Sequence, residues 1–318
     1  MALPVVAADR TYRPLYLTAR EDLLGLVASW VGRCLLFAIT SISILTVLLI
    51  FVFVIYQSIP FLQQYGLASF LCSTDWYPQA DPPRFGALAL IIGSAYVTIV
   101  SMAIAVPIGI LAAVFLSEVV THQIRNMVKP VIEVLAAIPS VAYGFFAIKA
   151  LAPWMQEYLG IPTGANALNA SLVLAIMALP TIISVSEDSI SAVGRELREA
   201  AYSLGSTRLE TTVKVVIPAA HSGIMAAVVL GTMRAIGETM VVWMAAGNAN
   251  QIPSPWWDLT QSVRTMTATI AGEMGETAKG STHYSALFAV SVVLLLMTSV
   301  LNVISNILLG RSLRPSYT

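Results

Sequence analysis

The stretch CLLFAITSISILTVLLIFVFVI, from Cys34 to Ile55, contains no charged residue, no proline and no glycine. As a helix its roughly 22 residues extend about 33 Å, enough to cross the hydrocarbon of a bilayer. A signal-peptide core is shorter, about 7–15 residues, and leads to a small-residue cleavage site. The segment therefore reads as an uncleaved first span. The rest of the sequence agrees. Apolar residues make up 57% and charged residues 11%, against about 25% charged in a soluble domain, so lipid must replace much of the aqueous surface. The net charge of zero removes the basic field that nucleic acid requires.

Further apolar runs lie at about 88–116, 127–152, 168–186, 220–247 and 284–309, separated by Pro- and Gly-bearing connections such as Pro82-Pro83, Pro162 and Pro253. The sequence thus predicts an all-α, polytopic membrane helix bundle of about six transmembrane helices. Residues 1–33 form an N-terminal segment before a transmembrane domain at 34–318, which carries a polar loop at 187–218. Twelve Lys/Arg fall in the termini and in the loops after the second and fourth spans, four on the opposite side. The bias places both termini in the cytoplasm. Trp76, Tyr77, Trp154, Trp256 and Trp257 on the other side suit an interfacial belt. Pro107, Pro139 and Pro180 fall inside spans two, three and four. They read either as simple kinks or as marks of a pathway where protein or water satisfies the freed backbone groups. Gly93-Ser94 allows close packing. Cys34 and Cys72 lie on opposite sides and suggest neither a disulfide nor a metal site.

The polar loop contains RELREAAYSLG, Arg195 to Gly205. Leu197, Ala200, Ala201 and Leu204 recur at i, i+3, i+4 and i+7, one apolar stripe on a short helix that Gly205 would terminate. Thr207 and Glu210 have capping-box spacing for a second short helix ending before Pro218. The product is a helix–glycine–helix elbow that could pack under its own bundle or insert into a groove on a partner. Glu199-Ala200-Ala201, Gly205, then Val215, Ile217 and Pro218 resemble the EAA loop of bacterial ABC importer permeases. The resemblance implies that Glu199, Ala200, Ala201, Gly205 and Pro218 dock the chain onto an ATP-hydrolysing partner.

Span five carries Arg234-Ala-Ile-Gly-Glu238-Thr-Met. A charge near mid-membrane faces protein or water and is functional by default. On a continuous helix Glu238 shares the face of Arg234, with Thr232 and Thr239 adding hydroxyls. An i, i+4 ion pair that merely packs helices is the plainer reading. The planar fork of arginine suits oxyanions. A carboxylate beside it can accept a proton from phosphate but repels sulfate.

This segment, together with Ile138-Pro139-Ser140-Val-Ala-Tyr143-Gly144, Arg264-Thr-Met-Thr-Ala-Thr-Ile, Gly272-Glu-Met-Gly-Glu and His283-Tyr-Ser-Ala-Leu-Phe, resembles the PstC-type permease of bacterial phosphate-specific ABC importers. The resemblance runs from about residue 85 to the end. The sister permease shares the Arg–Gly–Glu segment, so the C-terminal stretch alone separates the two subunit types. It implies a permease that moves inorganic phosphate across the inner membrane, with Arg234 and Glu238 along the path, to which their positions add Thr239 and Arg264 as candidates. It also implies a homologous second permease, two ATP-binding subunits, a phosphate-binding protein outside, and ATP and Mg bound by the partner rather than by this chain. No Walker motif is present, so the subunit is not itself a hydrolase.

Val263, Met266, Ile270 and Met274 form an apolar helical stripe in the last outer loop, with Arg264, Thr265, Thr267 and Thr269 as donors. A helix dipping into the bundle and a helix lying on the membrane both fit. Glu133 either lines the inner path or snorkels. Rival functions are a sulfate or molybdate permease, and a self-sufficient transporter using Glu238 or Glu133 as proton carrier. A membrane enzyme lacks a His/Asp/Glu constellation, since His122, His221 and His283 are scattered.

Overall fold

The structure, a computed structural model, describes residues 19–312. Arg10, Arg13 and Arg314, and the side chains of Arg20 and Arg311, lie outside the described residues, as do both chain ends whose cytoplasmic location the sequence predicts. The chain divides into two units, Met1–Phe53 and Val54–Thr318.

The described part of the first unit is helix only. It belongs to α1 (Ala19–Tyr65), which begins well before the apolar run at Cys34. From Leu35 to Phe53 its large side chains are exposed, as expected where lipid or another helix supplies the apolar surroundings.

The second unit follows α1 with α2 (Leu67–Cys72), a two-stranded antiparallel ribbon of β1 (Trp76–Tyr77) and β2 (Arg84–Phe85), and α3 (Leu88–Val114). A π turn over Phe115–Val119 extends α3. Next come α4 (His122–Ala137), α5 (Ser140–Phe146), α6 (Ala152–Leu159) and α7 (Ala167–Ser191). The polar loop holds α8 (Arg195–Ser203), α9 (Arg208–Thr211) and α10 (Ile217–Ala219). The chain closes with α11 (His221–Gly237), α12 (Met240–Ala245), α13 (Met266–Glu273) and α14 (Thr282–Ser312).

Among the described residues four helical stretches are long and apolar enough to cross a membrane: Ser29–Tyr65, Leu88–Val119, Ala167–Ser191 and Thr282–Ser305. Two bent pairs raise the number to six. One joins His122–Ala137 to Ser140–Leu159 at 88°, the other joins Arg208–Ala219 to His221–Gly237 at 69°. The span expected at 127–152, with Pro139 as a kink or pathway mark, is therefore broken outright. Pro139 disfavours helix in the residue before it, and Ile138 is extended. Pro107 and Pro180, by contrast, lie within unbroken helices. The fifth run also departs from expectation, since helix stops at Gly237 instead of reaching Gly247.

The core is built from α3, α5, α7, α11 and α12, through Val97, Ala105, Leu174, Met177, Ile182 and Val241 among others. A second cluster joins Phe61, Phe70, Trp76 and Phe85 to Met266 and Leu287. A third packs Ala113 and Ile190 against Val216, Ala220 and Ile224, where the polar loop meets the spans.

Candidate functional site: a capped elbow and a broken span

The polar loop folds into the expected elbow, and the backbone shows why. Gly205 has φ +84, a left-handed conformation that costs glycine least. The Ser206 N–H donates to the Ala201 carbonyl at 3.2 Å and the Gly205 N–H to that of Tyr202 at 2.9 Å, the paired bonds of a Schellman cap. Thr207 and Glu210 then complete a reciprocal capping box. The second helix does not end before Pro218, as its sequence predicts. A π turn over Thr212–Val216 precedes the proline and helix continues to Ala219. The widened turn accommodates the N–H that proline lacks. The apolar stripe is divided between two surfaces. Ala201 is buried, while Leu197, Ala200 and Leu204 are exposed, Leu204 at 88%. With Leu209 at 74% and with Glu199 and Pro218 exposed, the elbow presents its apolar side chains outward.

Arg234 is placed by three elements. One guanidinium nitrogen donates to Thr181 Oγ1 of α7 at 3.3 Å, and the other to the carbonyl of Ala136 in α4 at 3.1 Å. Glu238 does not share a continuous helical face with it. Gly237 ends α11, Glu238 takes the extended values φ −69 and ψ 129, and no Arg234–Glu238 ion pair occurs among the described residues. A helical i, i+4 pair is thus excluded in this conformation. The carbonyl of Glu238 accepts instead from Thr267 Oγ1 at 3.0 Å. Glu238 lines a small cavity with Ser94, Thr98, Thr265 and Thr267. Thr239 stands in the break, its carbonyl accepting from the Trp243 N–H at 2.9 Å.

The loop before α13 enters the bundle. Val263 pairs with Ala246 through backbone at 2.9 Å, and Ser94 Oγ accepts from the Met266 N–H at 2.9 Å. Met266, Thr267, Ala268 and Thr269 are all buried, so α13 is a dipping helix and not a surface one. Gly93 permits this approach, because a Cβ there would sit 2.2 Å from the carbonyl oxygen of Arg264. The expected close packing at Gly93-Ser94 is therefore helix against loop. Residues 264 and 265 partition two spaces: Thr265 lines the Glu238 cavity, whereas Arg264 lines a second pocket with Trp76, Trp243, Glu273 and His283. There Glu273 accepts from Arg264 at 3.0 Å and from Trp76 Nε1 at 3.1 Å, and lies 2.8 Å from His283 Nε2. The structure thus groups Arg234, Glu238 and Thr239 around one break and puts Arg264 in a separate pocket.

Glu133 is exposed on α4. Sequence spacing did not reveal the hub carboxylate of Glu273, the placing of Ser94 and Thr98 in the cavity that Glu238 lines, or two carboxylates at helix ends, Glu118 and Glu187. The last two had a visible signal. Each is an acidic residue at a span terminus, where Arg125, Lys129 and Arg198 are otherwise in excess.

Residues 105–314 match the family described as binding-protein-dependent transport system inner membrane component. A probable ABC transporter permease protein, YqgH of Bacillus subtilis, is 41% identical over 229 residues, 72% of this chain and 73% of its own. The phosphate transport system permease protein PstC of Mesorhizobium japonicum is 37% identical over 262 residues, 76% of this chain and 78% of its own. Two solved structures share the fold. A bacterial alginate ABC transporter, in complex with an alginate pentasaccharide-bound periplasmic protein, gives a TM-score of 0.59 at 16% identity, over 86% of this chain and 92% of its own. The MetNI methionine ABC transporter in an inward-facing conformation gives 0.54 at 17%, over 70% and 94%. A bundle with an outward-facing capped elbow and a charged break in a span is the architecture of a transporter's membrane subunit. The chain belongs to the binding-protein-dependent transport system inner membrane component family, and is a multi-pass inner-membrane protein.

Proposed function

We propose that the chain is the permease subunit of an ATP-driven importer that moves inorganic phosphate into the cytoplasm. Kinship to phosphate transport system permeases at 35–37% identity supports the cargo. The observation that carries the mechanism is Arg234, a guanidinium held by two neutral oxygens at a helix break, with no carboxylate bound to it among the described ion pairs. Its charge therefore remains available to an anion, which the fork geometry binds in a bidentate way. Glu238 and Thr239 lie at the same break, and Arg264 belongs to the outer approach.

In this reading the transmembrane domain is 34–318, after an N-terminal segment 1–33, with both termini cytoplasmic. The elbow at 187–218 docks on one of two ATP-binding subunits through Glu199, Ala200, Gly205 and Pro218, while Ala201, expected among the docking residues, is buried and packs inward beneath them. ATP and Mg are bound there and not by this chain. A homologous permease completes the pathway, beneath a phosphate-binding protein. Uptake proceeds by alternating access, with Arg234 holding the anion transiently.

The test is phosphate uptake by proteoliposomes holding the assembled complex. Arg234→Gln is expected to lower uptake about tenfold or more, since bonds to charged groups contribute roughly 1.5–3 kcal/mol. Wild-type rates in that variant would overturn the assignment. Uptake of sulfate or molybdate in preference to phosphate would move it to another oxyanion, and uptake driven by a pH gradient without the ATPase would favour a secondary transporter.

A further inference from the structure

The direct covalent route from the docking elbow to Arg234 is bent by 69° between Ala219 and His221, which makes it a poor push-rod. A second route is continuous. Arg198 sits on α8 beside Glu199 and donates to Glu118 Oε1 at 2.8 Å, to the Ile190 carbonyl at 3.0 Å and to the Val193 carbonyl. It therefore binds the docking helix to the ends of both α3 and α7. The pair is well shielded, with side chains 17% and 13% exposed. Next to Glu118, Ser117 Oγ lies 3.1 Å from Ser191 Oγ, which donates to Glu187 Oε1 at 2.9 Å. Glu187 is 2% exposed and is paired with Arg125 and, at 3.0 Å, with Lys129. Both cations are on α4. From Arg125 to Ala136 the helix spans about 17 Å, with Pro130 inside it. Near its far end the Ala136 carbonyl accepts from Arg234.

We infer that movement of the docking helix reaches Arg234 through α4, and that Arg198 and Glu187 are the positioning residues at the two joints of this relay. Shielded charge pairs are costly to break by removing one partner, so each joint transmits displacement where a solvated contact would slip. α4 is joined to the docking side by ion pairs at one end and to the anion-facing guanidinium by a hydrogen bond at the other. A shift of α8 thus changes the support of Arg234 without passing through the bend at Ala220. This inference rests on the importer reading for the direction of the signal, though not for the identity of the cargo.

The experiment uses the assembled complex in proteoliposomes and measures phosphate moved per ATP hydrolysed. Arg198→Gln and Glu187→Gln are each expected to leave assembly and ATP hydrolysis in place and to lower that ratio about fivefold or more, the lower range of site-to-site coupling. The double variant should be no worse than either single one, because both sit on one path. Arg198→Lys, which keeps the charge but loses the planar fork, should recover part of the ratio. A cargo-independent readout accompanies these. Hydrogen exchange over 134–138 and 234–239 should change on adding ATP in the wild type and not in the variants. An absence of phosphate movement by the wild type would remove the phosphate reading while leaving this exchange test standing. The relay is overturned by unchanged ratios, by losses that multiply in the double variant, by an ATP response that persists in the variants, or by loss of assembly in every variant.

Discussion

The guanidinium of Arg234 donates to the carbonyl oxygen of Ala136, 98 residues earlier in the chain. That carbonyl is free to accept because α4 ends one residue later and Pro139 follows, leaving the last carbonyls of the helix without intrahelical donors. The C-terminal end of a helix carries partial negative charge, and a cation is well placed there. A broken span and a half-buried arginine thus offset each other's costs. Each would be expensive in hydrocarbon alone.

Replacing Pro139 tests this directly. Pro139→Ala restores an N–H and removes the constraint on Ile138, so helix can extend across the break and withdraw the carbonyls from Arg234. Uptake is expected to fall about tenfold, on the scale of one lost bond to a charged group. Assembly with the partners should be retained, because the elbow is untouched. Transport measured beside copurification separates the two outcomes.

At the elbow, Thr207→Ala deletes the side-chain half of a capping box. The expected cost is about 1 kcal/mol of local helix stability. This appears as roughly fivefold faster amide exchange over residues 208–211, with exchange elsewhere unchanged. An exchange map of the purified protein in detergent checks it.

Leu204 is a sharper probe of docking. Because it is exposed, Leu204→Glu should change thermal stability by no more than about 0.5 kcal/mol. A charge placed on the outward apolar surface would nonetheless desolvate unfavourably in a partner's groove. The variant should fold normally and fail to retain the ATP-binding subunit on purification. Retention at the wild-type level would mean that the elbow docks by another surface.

Much of this was legible in the sequence, for reasons that are local. The capping box, the Gly205 cap and the apolar runs at 88–116, 168–186 and 284–309 depend on residues a few positions apart, and the structure has them where spacing predicts. The apolar stripe of the elbow was readable as a period, but not its division between Ala201 inward and Leu204 outward, which depends on what α8 packs against. The pairing of Arg234 with Glu238 failed because periodicity assumes an unbroken helix, whereas the break at Gly237 is held by Thr267, 29 residues away from Glu238. Glu273 was passed over for the same reason. Its partners Trp76, Arg264 and His283 are dispersed over the chain, and no spacing rule joins them.

In the loop between α12 and α13, Asp258 accepts from the Thr260 N–H and hydroxyl at 3.0 and 2.6 Å and from Gln261 Nε2 at 2.8 Å. The Thr260 hydroxyl first, with the Gln261 amide and the Thr260 N–H, holds its carboxyl below the ordinary aspartate range. A depressed folded value means that the ionised form stabilises the loop above the unfolded pKa, and that this contribution is lost as pH falls through the folded one. Amide exchange over 254–261 should therefore quicken on acidification below the usual aspartate range, and Asp258→Asn should flatten that dependence. An unaltered pH profile in the variant would assign the change to another group.

The close approach of Gly93 to Arg264 gives the most demanding prediction. A methyl group at residue 93 would meet a backbone oxygen at 2.2 Å, and backbone cannot swing aside as a side chain can. Either α3 or the 263–267 segment must move, at a cost of about 1–3 kcal/mol for forced overpacking. Movement of the segment would also strain the Met266–Ser94 bond and shift Thr265 and Thr267 away from Glu238. Gly93→Ala should therefore lower the thermal midpoint and also slow uptake. By contrast Glu273→Gln weakens the Arg264 and His283 contacts in the second pocket and leaves the Glu238 cavity lined as before. If Gly93→Ala lost stability yet transported at the wild-type rate, the partition between pocket and cavity would have no part in passage.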